Sequence, residues 1–99
     1  MKYKDLKQTT GRDAMLVNGT LAQLEKTCQK YSGETLKREL QYERWTHTAI
    51  MPNAKESTVK KWLSDLYKRD KQSAQQFLDN YNYHLACIAE IDLRIAAIS

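Results

Sequence analysis

Along the last quarter of the chain, apolar or weakly polar side chains recur at Phe77, Tyr81, His84, Ile88, Ile91, Ile95 and Ile98. The 4-3-4-3-4-3 spacing predicts a helix that packs lengthwise against other helices. At 100° per residue a second face of the same helix carries Ala86, Ala89, Leu93 and Ala96. Small residues there let another backbone come close. Glu90 and Arg94 fall on a narrow strip between these faces, expected to be exposed, and form an i,i+4 pair. From Ala74 to Ile98 such a helix is about 37 Å long, longer than its expected partners. Its end is therefore expected to be covered by a loop or by a second copy of the chain, with Tyr83 exposed as an interface anchor.

The same seam spacing, 3-4-3-4-3, occurs at Ala14, Val17, Leu21, Leu24, Cys28 and Tyr31. It predicts a first helix opened by Thr10 with Asp13 three residues on, a capping-box arrangement. Gly19 weakens its middle, and Ser32-Gly33 supplies a left-handed stop. A second helix is expected from Glu34 to about Ile50, with Leu36, Leu40, His47 and Ile50 on one face and Glu39 and Glu43 on the polar side. The Thr- and Trp-rich stretch Arg44 to Met51 also suits a short strand. Pro52-Asn53 breaks the chain. A third helix begins near Asn53 or Ser57, with Val59, Trp62, Leu63, Leu66 and Tyr67 inward. Residues 68–72 form a joint, and Ser73 with Gln76 caps the last helix.

Ninety-nine residues, 41% hydrophobic and 28% charged, make one globular domain with room for a modest core. Three glycines and one proline are too few for the tight turns of an all-β fold. The segment Met1 to Lys7 lacks the apolar core of a signal peptide. Leu85 to Ile98 is too short and too charged to cross a bilayer. A cytoplasmic protein with reduced Cys28 and Cys87 and no membrane contact is the expectation. The formal charge of +4 is uneven. Residues 1–12 and residues 55–71 each carry a net +3, and residues 72–99 carry −2. A basic arm over residues 1–10 and a basic central segment are the places to meet phosphate or an acidic protein face.

The chain offers little catalytic chemistry. It contains no Gly-x-Ser-x-Gly, no phosphate-binding glycine loop and no His-Glu-x-x-His. Cys28, His47, His84 and Cys87 supply the residue types of a zinc site but no Cys-x-x-Cys knuckle. A core thiol and a histidine at a core edge account for them more simply. Glu43 and His47, i,i+4, have the spacing of an acid–base pair, and a surface ion pair is the simpler reading. No enzyme activity, metal or cofactor is expected.

Nucleic acid is the more serious candidate. Residues 48–63 resemble a helix-turn-helix, with Ala49 at the helix crossing and Asn53 at the left-handed turn position. Val59 and Trp62 would then anchor the recognition helix. Ser57, Thr58, Lys60 and Lys61 would face the groove, with Lys55 at phosphate and Lys68 and Arg69 extending the basic surface. Pro52 sits badly in that motif, where the first helix should be intact. Trp62 and Tyr67 beside Lys68 and Arg69 also have the composition of a base-stacking surface.

The sequence thus predicts an all-α protein, a small four-helix bundle with a long C-terminal helix. Its expected function is non-enzymatic, through contacts with another protein or with itself. It is a chain of the kind that phages and mobile elements use as inhibitors, adaptors or regulators. The expected interface is Tyr83, Ala86, Ala89, Leu93 and Ala96. The alternative is a DNA-binding regulator acting through residues 48–63.

Overall fold

Residue 6, residues 11–50 and residues 56–98 are described by the structure, a computed structural model. Five α-helices are present among them: α1 (Gly11–Val17), α2 (Thr20–Lys30), α3 (Gly33–Ile50), α4 (Glu56–Arg69) and α5 (Lys71–Ala96). The fold is all-α, and the stretch Arg44 to Ile50 is helical rather than a strand.

The expected first helix is two. Gly19 adopts φ +75°, a left-handed conformation that ends α1 and sits at the N-cap of α2. The break resets the helical phase. Val17, on the expected seam, is therefore 86% exposed, whereas Met15 is buried. Tyr31 and Gly33 (φ +58°) make the next turn. The start of α5 also lies earlier than expected. Asp70, not Ser73, is the N-cap: its carboxylate accepts from the Gln72 backbone N–H at 3.0 Å and from the Ser73 hydroxyl at 2.7 Å. Those two bonds, the hydroxyl first, hold the Asp70 carboxyl below its ordinary range. The expected cap at Thr10, the break at Pro52-Asn53 and most of the basic arm lie outside the described residues. Leu6, within that arm, is buried.

The spine is α5, 26 residues long. Its two halves bury opposite sides. In the first half Ala74 and Leu78 pack with Leu63 of α4 and with Leu6. In the second half Cys87 and Ile91 pack with Met15, Leu24, Leu36 and Leu40 from α1, α2 and α3. At 100° per residue, Leu78 and Cys87 point about 180° apart. The heptad seam is therefore only half-buried at Phe77, Tyr81, His84 and Ile88, because its partners change sides midway along the helix. The Cα atoms span 49 × 26 × 17 Å with a radius of gyration of 15.6 Å. A compact chain of this length has about 13 Å. One long helix with shorter ones laid against alternate sides makes a thin slab.

Gly11 fixes one crossing. A Cβ at this position would fall on the Asn82 carbonyl oxygen and 2.7 Å from the Ala86 methyl. The close approach of α1 to α5 thus needs a glycine on one helix and an alanine on the other. Ala86 is consumed in this contact.

Candidate functional site

Three arrangements bring chemistry-bearing side chains together. The first is polar and lies where α3 crosses α5. Antiparallel packing sets His47 against His84, with the two Nδ1 atoms 2.9 Å apart. One Nδ1 donates and the other accepts, so the neutral pair holds its rings in different tautomers. Tyr83 stands edge-on to both rings and shares a 2.6 Å hydrogen bond with the Thr20 hydroxyl. Cys87 lies one turn further along α5 and is fully buried. Burial pushes the Cys87 thiol and the Tyr83 phenol up. It also raises Glu43, with a smaller contribution from the Glu39 charge. Burial lowers both histidines, and His47 adds repulsion at His84.

These shifts give the cluster a pH dependence of known sign. Histidines lowered in the folded state bind fewer protons than in the unfolded chain. Their contribution is intact above the ordinary value of 6.5 and is lost as pH falls through the depressed folded values. A doubly protonated pair also sets two donors face to face. Glu43, raised above 4.5, takes up protons on folding and works the other way at lower pH. Thermal melts should show a lower midpoint at about pH 5.5 than at about pH 7.5, and His47→Gln should flatten that difference. A midpoint that rises on acidification would mean that the histidine pair does not govern stability in this range.

The cluster has the residue types for proton transfer or metal binding but not a complete set. No three His, Cys, Asp or Glu side chains among the described residues come together as metal ligands. Cys28 lies apart, against Arg94 at 3.5 Å. Glu43 acts on Cys87 through its charge rather than serving as the base partner of His47, whose ring meets His84. Arg94 binds Glu25 at 2.7 Å and Glu90 at 3.0 Å. Burial opposes its charge, but the bonds to Cys28, Glu25 and Glu90 outweigh that and hold its proton more tightly than usual. The Glu90–Arg94 pair is thus not the exposed strip expected. Its side chains are only 15% and 19% exposed, roofed by Arg12 and Glu25.

The second arrangement is the basic side of α4. Ser57, Lys60, Lys61, Lys68 and Arg69 are exposed and Thr58 is half-buried. Lys60 pairs with Glu56 at 3.4 Å. Lys55 lies outside the described residues. Trp62, expected to anchor this helix, is 43% exposed, while Val59 and Leu63 do the anchoring. Both α3 and α4 pack on α5 and share no extensive interface among the described residues. A helix-turn-helix needs its two helices packed on each other.

The third arrangement is apolar and exposed. Leu85 is 42%, Leu93 68%, Trp45 63% and Tyr42 65% exposed. Ala89 and Ala96 are exposed between and beyond the two leucines. Of the expected interface residues, these are the three that face outward: Ala89, Leu93 and Ala96. Tyr83 and Ala86 are engaged within the chain. Trp45 and Tyr42 sit with ring centroids 6.1 Å apart. An open groove of about 470 Å³ runs between Gln41, Arg44, Trp45 and Thr48 on α3 and Asp92 and Ile95 on α5. Its rim is pinned by Arg44, whose guanidinium binds the two Asp92 oxygens at 2.7 and 3.4 Å.

No family model, curated protein or solved structure matches the chain. These three surfaces therefore carry whatever is inferred about function. Trp45 and Tyr42 are not among the contact residues the sequence predicts, although both lie off the Leu36–Leu40–His47 face. Their i,i+3 spacing on the opposite side was the available signal. Among the described residues no helix is long and apolar enough to cross a membrane.

Proposed function

We propose that this protein is non-enzymatic and works through protein–protein contacts, as a small inhibitor, adaptor or regulator. The observation that carries this reading is the apolar surface left outside: Leu85, Ala89 and Leu93 on α5 and, on α3, Trp45 and Tyr42. Scattered exposed leucines are ordinary, but an apolar strip along one helix together with two large aromatics exposed on another supports a role in protein contact. Trp and Tyr are also the residues on which interface energy concentrates. The test is affinity purification of the full chain beside the Leu93→Glu and Trp45→Ala double variant. The wild type is expected to run as an oligomer or to hold a stoichiometric protein partner, and the variant to lose that species while keeping its helical circular dichroism. A monomeric wild type without a partner would overturn the reading.

A second reading, a DNA-binding regulator, is favoured by one observation. Ser57, Lys61 and Lys68 are exposed at i, i+4 and i+11 along α4, with Arg69 beside them. Such a surface would bind duplex with an affinity that falls steeply with salt. Protein contact as the main function expects weak duplex binding that Lys60→Ala with Lys61→Ala leaves nearly unchanged in fluorescence anisotropy. Tight, salt-sensitive binding lost in that variant would give the second reading precedence.

A further inference from the structure

The two ends of α3 are held on α5 by different means. The first part is anchored by apolar burial: Leu36 and Leu40 belong to the main cluster with Cys87 and Ile91. Beyond Leu40 that anchoring stops. From Gln41 to Ala49 no side chain is buried, and only Glu43 and His47 are half-covered. An open groove of about 470 Å³ lies between this end of α3 and Asp92 and Ile95 of α5. Arg44 reaches Asp92 at 2.7 Å, but the two side chains are 44% and 51% exposed, and ion pairs this open to water hold little. Closer to the helix end, His47 meets His84 with the Nδ1 atoms 2.9 Å apart. A stretch of helix well under about 12–15 residues is marginal in water without packing. The end of α3 therefore leans on the histidine contact.

That contact tolerates one proton and not two. In the neutral pair one Nδ1–H donates to the bare Nδ1 of the other ring. A first added proton can go to the Nε2 of the donating ring, and the hydrogen bond survives as a charge-assisted one. The second has only the accepting Nδ1 left to bind. Two N–H groups and two positive rings then face each other. The groups around the pair do not neutralise them. Tyr83 and Cys87 of α5 are pushed up by burial and stay uncharged in acid. Thr20 of α2, bonded to Tyr83, carries no charge. On α3, Arg44 is committed to Asp92. Glu43 acts by its charge on Cys87, and burial raises its own carboxyl, so that charge fades as the pH falls. Once released, each ring returns toward its ordinary 6.5. The open end thus binds more protons than the closed one, and falling pH favours opening by about tenfold per pH unit for each proton of difference.

We propose that the His47–His84 contact is a proton-operated latch, which holds the C-terminal end of α3 on α5 at neutral pH and releases the helix from Gln41 onward when both rings are protonated. Leu36 and Leu40 stay seated, so the opening is local. Tyr42 and Trp45 ride on the released segment, and acidification removes them as a fixed surface. The latch itself does not rest on the protein-contact reading.

Native-state hydrogen exchange tests it, with each amide's rate taken relative to the unstructured chain at the same pH. Between about pH 7.5 and about pH 5 the amides from Trp45 to Ala49 are expected to lose protection about tenfold or more, while those of Leu40, Cys87 and Ile91 keep theirs. Proton NMR of the imidazoles should show the pair titrating in two steps, with protection lost at the lower one. His84→Gln keeps a donor and an acceptor but takes up no charge, so the end of α3 should stay protected in acid. His84→Ala removes the contact and should leave that end weakly protected at both pH values. Full protection of the wild-type segment at about pH 5 overturns the latch. So does protection lost only together with Leu40 and Cys87, or lost equally in His84→Gln.

Discussion

Replacing Ile91 by alanine is expected to lower stability by about 2–5 kcal/mol. Ile91 is fully buried and belongs to the cluster that joins α5 to Met15, Leu24, Leu36 and Leu40. Truncating its side chain there loses transfer free energy and leaves a cavity that four helices must close on. A domain of this size has only about 5–15 kcal/mol in total, so the loss is a large share. Two residues further along the same helix, Leu93→Ala should change the stability of the monomer by no more than about 0.5 kcal/mol, since Leu93 is 68% exposed. Urea unfolding of both variants at a concentration where the chain is monomeric checks the pair. Equal effects would mean that the buried and open sides of α5 are wrongly assigned.

Gly11→Val is expected to cost about 1–3 kcal/mol or more, and to act by prying α1 from α5. The added Cβ meets the Asn82 carbonyl, which is helix backbone and cannot turn aside, together with the Ala86 methyl at 2.7 Å. Separation of α1 would also remove the Met15 side chain from the main cluster and Arg12 from Glu90, 3.4 Å away. Gly19→Ala is the informative control. Nothing lies within 4 Å of a Cβ there, but φ is +75°. Its cost is the left-handed conformation alone, about 1–2 kcal/mol. Hydrogen exchange separates the two: the Gly11 variant should lose protection across α1, the Gly19 variant chiefly at the α1–α2 turn. Widespread protection of α1 in the Gly11 variant would contradict the close crossing.

The all-α fold and the dominant last helix were legible because apolar spacing of three and four persists for more than about twenty residues. What spacing alone did not give was which side of the helix is covered where. The heptad stripe from Phe77 to Ile98 contains Ile91 but misses Ala74, Leu78 and Cys87, since α4 and the α1–α3 group approach from opposite directions. From spacing alone Gly19 is a weak point rather than a break, because tolerance of glycine inside a helix depends on tertiary contacts. Asp70 falls within a polar joint in the sequence, although an aspartate followed by Ser73 is a good cap. His47 and His84 each stand out in the sequence, but their contact spans 37 residues and joins two helices, which local pattern does not encode. Of the expected interface, Ala89, Leu93 and Ala96 are open, whereas Ala86 is taken by Gly11 and Tyr83 by Thr20.

If the molecule works as proposed, the open side of α5 is covered by protein when it is active. The most direct test is the rate at which a thiol reagent modifies Ala89→Cys in a Cys28→Ser background, with fully buried Cys87 as the slow internal reference. In dilute solution the introduced thiol should react far faster than Cys87. Its rate should then fall about tenfold or more as the protein is concentrated or as a captured partner is added, tenfold being about 1.4 kcal/mol of protection. A rate that stays fast at every concentration and with every partner would contradict the proposal, as would one no faster than that of Cys87 in the dilute monomer.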